Sequence, residues 1–223
     1  MTITYHNDFE QGSGEWAARR CGMLTASEME LIITPTLKVA NNDKQRSHLY
    51  ELLAQRNSGY VEPQYVSDAM LRGENEEIAA RELYSEKYAP AKECAFVTND
   101  RFGFNIGFSP DGLVGEDGLI EVKSRRQKFQ AQTIIEGILP PEFSLQIQTG
   151  LLVSEREWCD FISYSGGMPM FVLRIEPDPA VQNAIVEAAT AFEKQLNEKL
   201  AIYQSQASKF HQTERKDYEE IIL

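Results

Sequence analysis

The chain has 223 residues, of which 42% are hydrophobic and 25% charged, and its formal net charge at pH 7 is −12. That balance suits a globular protein with one sizeable core. It argues against a nonspecific nucleic-acid coat, which needs a positive field, while leaving open a nucleic-acid enzyme with local basic patches. No apolar run approaches the roughly 18 residues of a membrane helix, and the polar, aromatic stretch Met1 to Glu10 holds no apolar signal segment. Neither a membrane partner nor a secretory leader is expected. Three isolated cysteines, Cys21, Cys94 and Cys159, form neither a disulfide framework nor a zinc cluster, so a reducing, cytoplasmic setting is expected.

In chain order, Glu15 to Ile33 reads as helical with a break at Cys21-Gly22. Thr25 and Glu28 have capping-box spacing, which marks a fresh helix start. Asp43 to Arg56 follows with Leu49, Leu52 and Leu53 on its apolar side, and Asp68 to Tyr88 reads as a longer helix despite Gly73. The middle is strand-like at Cys94 to Val97, Gly103 to Phe108 and Leu119 to Ser124, with a glycine- and acid-rich turn between the last two. Pro141 to Val153 predicts a helix opened by a proline pair. Trp158 to Tyr164 and Met170 to Ile175 predict a hairpin turning at Gly166-Gly167, and Ala180 to Ser205 predicts a closing helix. With no repeat and no linker, the expectation is one domain over residues 1–205 and a polar tail over 206–223. Helices first, then a strand-rich centre flanked by helices, make the class α/β or α+β.

Glu121-Val122-Lys123 lies in a strand pattern, so Glu121 and Lys123 share one side and Val122 takes the other. Asp111 stands ten residues earlier, where antiparallel pairing would set it beside Glu121. Burying such charges without partners costs several kcal/mol, and a divalent cation both relieves and exploits the repulsion of two carboxylates. Mg²⁺ suits an all-oxygen site and bridges readily to phosphates. Lys123 would hold or deprotonate an attacking water, helped by a lowered pKa, and cation and amine together would serve phosphodiester hydrolysis. A second acid-x-lysine set exists, Pro177-Asp178 with Glu214-Arg215-Lys216, but the chain between reads as helix and no strand aligns it. The bland reading of the first set is a salt-bridged surface hairpin.

These residues, Pro110-Asp111 through Glu121-Val122-Lys123, resemble the PD-(D/E)xK nuclease superfamily, and within it the lambda-exonuclease and YqaJ-type viral recombinase family. Further stretches fit that family in order: WAARRCGMLTAS from Trp16 to Ser27, RGENEE from Arg72 to Glu77, SPDGL from Ser109 to Leu113, and QIQ from Gln146 to Gln148. The resemblance implies a restriction-endonuclease-like α/β core with a mixed central β-sheet flanked by helices. It implies Asp111, Glu121 and the Val122 backbone carbonyl as metal ligands, Lys123 as the water-activating lysine, and Glu77 as a helical acid on a second metal or its waters. Gln146 would line the catalytic pocket and also contact the 5′-phosphate. Arg20, Ser27 and Ser109 would grip a terminal 5′-phosphate, by a guanidinium fork, two hydroxyls and the positive end of a helix.

Each residue also has an ordinary role to fill. Trp16 reads as core packing, Arg20 as a surface arginine, Ser27 as a cap, and Glu77 as part of a solvated acidic run, although its place four after Gly73 singles it out. Gln146 and Gln148 differ by about 200° on a helix, so only one can face a site. His6, His48 and His211 have no ligand or triad spacing. Ser124-Arg125-Arg126 replaces the proline that many relatives carry after the lysine; with Lys128 these arginines would follow a DNA backbone or sit in solvent. Met70 stands where a relative inserts an apolar wedge to part the strands, and its ordinary reading is core packing; the basic loop Leu37-Lys38 to Arg46 would touch duplex.

The expected activity is a Mg²⁺-dependent exonuclease, with Mn²⁺ substituting, that digests one strand of linear double-stranded DNA from a phosphorylated 5′ end to mononucleotides and leaves 3′ single-stranded tails. The resemblance further implies a ring-shaped homotrimer, a single-strand annealing recombinase as partner, and a bacterial or phage-infected host cytoplasm. Rival expectations are an endonuclease of restriction or repair type and a non-catalytic DNA-end-binding protein.

Overall fold

The computed structural model describes residues 2–63 and 67–215. Its elements are β1 (Ile3–His6), α1 (Gly14–Arg20), β2 (Leu24–Thr25), α2 (Met29–Ile32), α3 (Asp43–Ser58), α4 (Asp68–Lys87), β3 (Ala91–Lys92), β4 (Phe96–Asn99), β5 (Ile106–Phe108), β6 (Gly112–Val114), β7 (Gly118–Ser124), α5 (Gln127–Glu136), α6 (Ser144–Ser154), β8 (Trp158–Tyr164), β9 (Phe171–Ile175) and α7 (Pro179–Ala207). Helix boundaries follow local chemistry. Asn42 accepts from Gln45 N to cap α3, Ser67 from Met70 N to cap α4, and Asp178 from Ala180 N and Val181 N to cap α7. Asp178, the acid of the second acid-lysine set, is therefore spent as a cap; Lys216 of that set lies outside the described residues. Helix α7 runs to Ala207, past the boundary expected at 205.

The sheet expected at the centre is the mixed five-stranded one, in the order β3-β6-β7-β8-β9, in which only β7 and β8 pair in parallel. A second mixed sheet, β1-β4-β5-β2, stands beside it, with β2 parallel to β5. This corrects one expectation. Phe108 and Leu119 are not on neighbouring strands, because β5 belongs to the second sheet. The chain passes from one sheet to the other through Ser109-Pro110-Asp111, and the strand that pairs with β7 is the three-residue β6. Pro110 has no N–H to offer a ladder, which favours the break there. Helix α5 was also not anticipated; Thr133, Ile134 and Ile135 are β-branched and weaken its helical signature.

Strand β7 alternates across the sheet. Ile120 and Val122 pack with Ala80 and Tyr84 of α4 on one face, while Leu119 joins the larger core with Ile147 and Leu151 of α6 on the other. Glu121 and Lys123 thus point to the α6 side. The long apolar face of α7, including Ile185, Ala189, Phe192 and Leu196, closes the same core.

Candidate active site

The β6–β7 register opposes Gly112 to Ile120 and Leu113 to Leu119, so the next position outward sets Asp111 across from Glu121. Asp111 Oδ2 accepts from Val122 N at 2.6 Å. Lys123 Nζ lies 2.7 Å from Glu121 Oε1 and donates to Gln146 Oε1 at 3.0 Å, while Gln146 Nε2 donates to Glu121 Oε1 at 2.6 Å. Asp111, Glu121, Lys123 and Gln146 therefore form one cluster, with Gln146 supplied by α6. Gln148 faces away, donating to Glu176 O and accepting from Asp178 N.

Glu77 approaches from α4, where Arg81 Nη1 donates to it at 3.0 Å and to Asp111 O at 2.9 Å; Arg81 Nη2 also pairs with Glu93. Arg81 thus ties the helical acid to the loop that carries Asp111, a link sequence spacing gave no sign of.

The electrostatics are those of crowded acids. Burial, then the Glu121 and Glu77 charges, push the Asp111 carboxyl well above its usual range. Burial raises Glu77 too, against the Arg81 cation. Burial opposes the charge on Lys123, yet the Glu121 and Asp111 carboxylates outweigh it and hold the ammonium above its ordinary value. The protein's own charges thus act opposite to the lowered pKa expected for this lysine.

Glu121 is 1% exposed, and its Oε2 is buried with no hydrogen-bond partner. An orphaned carboxylate oxygen in a cluster of mutually repelling acids fits a hard cation. Among the described residues, no three His, Cys, Asp or Glu side chains make a metal site by themselves. The fitting donor set is two carboxylates and a main-chain carbonyl: Asp111, Glu121 and Val122 O.

A second cluster forms around Arg20, at the end of α1. Its Nη1 donates to Ser109 Oγ at 3.4 Å and its Nη2 to Thr25 Oγ1 at 3.2 Å, and its guanidinium lies 4.3 Å from the Trp16 ring centroid. Trp16 Nε1 donates to Ser109 Oγ at 2.9 Å. Trp16 is half-buried, and α1 contains no buried residue, so the tryptophan is a wall of this cluster rather than core packing. Arg20 is likewise no ordinary surface arginine: burial lowers its pKa against the pull of Glu28.

Ser27 is exposed and joins only through Thr25, whose Oγ1 lies 3.2 Å from Ser27 Oγ. The helix expected to start there is a 3-10 turn, Ala26–Glu28, followed by the four-residue α2. Its dipole is too short to carry the helix-end argument. The capping box read at Thr25 is present, and Glu28 Oε2 accepts from both Thr25 N and Thr25 Oγ1. Thr25 is buried at the hub of the cluster, a role its capping spacing with Glu28 hides in the sequence.

An open cavity of about 1120 Å³ is lined by Trp16, Arg20 and Thr25 on one side and by Glu77, Arg81 and Asp111 on the other, with the half-exposed Met70 also in its wall; Ser109, Glu121, Lys123 and Gln146 are not in its lining. Arg126, Lys128, Lys38 and Arg46 are exposed, and Arg46 is paired with Asp43. Arg125 is not free: it pairs with Glu142 and lies between the Phe129 and Phe143 rings. Among the described residues, no helix is long and apolar enough to cross a membrane.

Comparison with known proteins bears on the fold and the family. An alkaline exonuclease from Laribacter hongkongensis is similar in structure, with a TM-score of 0.79 and 32% identity over 88% of this chain and 99% of its own. The same enzyme has been solved in complex with dAMP. A phage-related exonuclease from Haemophilus somnus 129PT shares the fold, at a TM-score of 0.55 and 14% identity over 80% of this chain and 96% of its own. No curated protein matches. The model of the YqaJ-like viral recombinase domain matches residues 15–157, a span that contains both clusters; the chain belongs to that family.

Proposed function

We propose that this protein is a divalent-cation-dependent exonuclease that enters linear duplex DNA at a phosphorylated 5′ end, hydrolyses that strand to mononucleotides and leaves a 3′ single-stranded tail. The observation that carries the reading is a shared opening: Trp16, Arg20 and Thr25 of the arginine-hydroxyl cluster line the same cavity as Asp111 and Glu77 of the acid cluster, and Asp111 is bonded through Val122 N to the strand that carries Glu121 and Lys123. A terminal phosphate carries more charge than an internal one, so a site built on the Arg20 fork can distinguish an end from a middle. The relative crystallised with dAMP and named an alkaline exonuclease supports the same reaction.

Asp111, Glu121 and the Val122 carbonyl would hold the cation, Mg²⁺ or Mn²⁺, with Glu77 placed for a second ion or its waters. Such an ion supplies Lewis acidity at the scissile phosphate and eases ionisation of water. Lys123 Nζ, aimed by Glu121 and Gln146, orients the attacking water and offsets charge gathering on phosphorus. A base role for this amine would require the bound cation's charge to reverse the field of Glu121 and Asp111. Gln146 Nε2 fixes Glu121 Oε1, leaving Oε2 as the open donor. Met70, on the cavity wall, would be the wedge that parts the strands. A homotrimeric ring, a single-strand annealing partner and a role in phage-type recombination in the cytoplasm complete the proposal.

The test compares 5′-phosphorylated linear, 5′-hydroxyl linear and closed circular duplexes, with Mg²⁺ and with chelator. Faster digestion of the phosphorylated than of the hydroxyl linear form, none of the circle, and none without Mg²⁺ is expected; cutting of the circle would replace the exonuclease with an endonuclease. Lys123→Ala should lower turnover by about 10²- to 10⁴-fold while DNA-end binding in a gel-shift assay stays within a few fold. Retained turnover would sink the mechanism and favour a non-catalytic end binder.

A further inference from the structure

The turn between Arg20 and Thr25 is held from outside by a device that no part of the reaction uses. Gly22 is bound through both of its peptide groups to consecutive residues in the last turns of α3: its N–H donates to Gln55 Oε1 at 2.8 Å, and its carbonyl accepts from Arg56 Nε at 2.7 Å. The Cys21 thiol donates to the Gln55 carbonyl at 3.5 Å. Arg56 then spends the rest of its guanidinium on Glu193 of α7, with Nη1 and Nη2 at 2.8 and 2.6 Å from the two carboxylate oxygens. The Glu193 side chain is only 5% exposed, so this forked pair is desolvated and geometrically fixed. Gly22 has φ +68°, and a Cβ there would lie 2.5 Å from Arg56 Cγ. Only glycine permits so close an approach.

We propose that Arg56, braced by Glu193, is a positioning residue for recognition of the terminal phosphate, acting through Gly22 on the aim of Arg20 and Thr25. The inference rests on the reading of the Arg20 cluster as the 5′-phosphate grip. Arg20 precedes the clamped peptide and Thr25 follows it, and Met23 N closes the turn on Arg20 O at 2.9 Å. Rotation at Gly22 therefore swings the Arg20 guanidinium relative to Thr25 Oγ1 and Ser109 Oγ, the two hydroxyls that now fix its fork. Arg56 itself is not in the cavity wall, whereas its neighbour Gln55 is. Its effect reaches substrate only through the turn.

The experiment measures KM and kcat for 5′-phosphorylated and 5′-hydroxyl linear duplexes with wild type, Arg56→Lys and Gln55→Met, alongside thermal melts. Lysine keeps the charge but cannot fork onto Glu193 and reach Gly22 O together. The expected result for Arg56→Lys is a KM for the phosphorylated duplex raised about ten- to a hundredfold, kcat at saturating DNA within about twofold, and an unchanged KM for the hydroxyl duplex. The preference for phosphate then collapses. Gln55→Met, which removes the other anchor of Gly22 and leaves the ion pair intact, should show the same pattern in weaker form and covers the case that Arg56→Lys does not fold. Equal losses on both substrates, or an unchanged preference in either folded variant, would reduce Arg56 to a strut of the fold and overturn the proposal. A wild type with no preference for phosphate would instead remove the reading of the Arg20 cluster itself, and the inference with it.

Discussion

Asp111 shows what a single side chain in this site costs the protein and why it is kept. Its carboxyl is pushed upward first by burial and then by Glu121 and Glu77, so the folded chain holds a proton there more tightly than the unfolded chain does. The sign follows from linkage: this group's contribution to stability is fully present below the ordinary carboxylate range and is lost as the pH rises through its folded value. Asp111→Asn should therefore raise the melting temperature at pH 8 in chelator, by about 2–4 °C for each kcal/mol relieved, and the gap to wild type should narrow as the pH falls toward the ordinary carboxylate value. An amide oxygen can still accept from Val122 N, so the hydrogen bond survives. A lower melting temperature at pH 8 would mean that the acid cluster is not repulsive. The acid-lysine trio was legible from strand alternation alone. The roles of Trp16 and Arg81 were not, because Ser109 and Asp111, which they meet, lie far away in sequence; that of Thr25 was hidden behind its capping spacing with Glu28.

At the scale of elements, the site depends on how closely α6 approaches β5. Gly150 of α6 sits against the Phe108 ring, and a Cβ there would meet its Cζ at 2.7 Å. Phe108 precedes Ser109 of the phosphate cluster, while α6 carries Gln146 one turn earlier. Gly150→Ala has to push helix and strand apart, and overpacking of this kind costs about 1–3 kcal/mol. The expected outcome is a lower melting temperature together with reduced turnover on 5′-phosphorylated duplex, and a variant with unchanged stability and turnover would show that the two elements can separate without harm. The long helices and the strands β7, β8 and β9 could be read from periodicity. The short strands β1, β2, β3 and β6 could not, since two to four residues give no alternation to count. They exist because a neighbouring strand offers them a ladder.

For the whole molecule, the net charge of −12 sets an internal repulsion that any bound cation relieves, but a specific site should act beyond screening. Mg²⁺ at about a hundred times its dissociation constant would stabilise the fold by about 2.7 kcal/mol. Thermal melts should therefore rise by several degrees in Mg²⁺ over chelator, and by less in KCl of matched ionic strength. Asp111→Asn should abolish the difference between the two salts. Equal shifts in both salts for wild type would leave only general screening.

The sequence by itself determined the local things: the long helices α3, α4 and α7, the capping pair Thr25 and Glu28, and that Glu121 and Lys123 share one side of a strand. It also carried the family resemblance, since WAARRCGMLTAS and SPDGL are contiguous motifs. Tertiary structure alone decided that Asp111 reaches Glu121 through β6 rather than through the strand ending at Phe108, and that Arg20, at the end of α1, meets Ser109, 89 residues away in sequence. It also decided that Arg56 and Glu193, 137 residues apart, brace a single glycine. The reason is physical. Capping and alternation act over one turn or one pleat, whereas a buried charge is satisfied by whichever partner the packed core brings within about 3 Å.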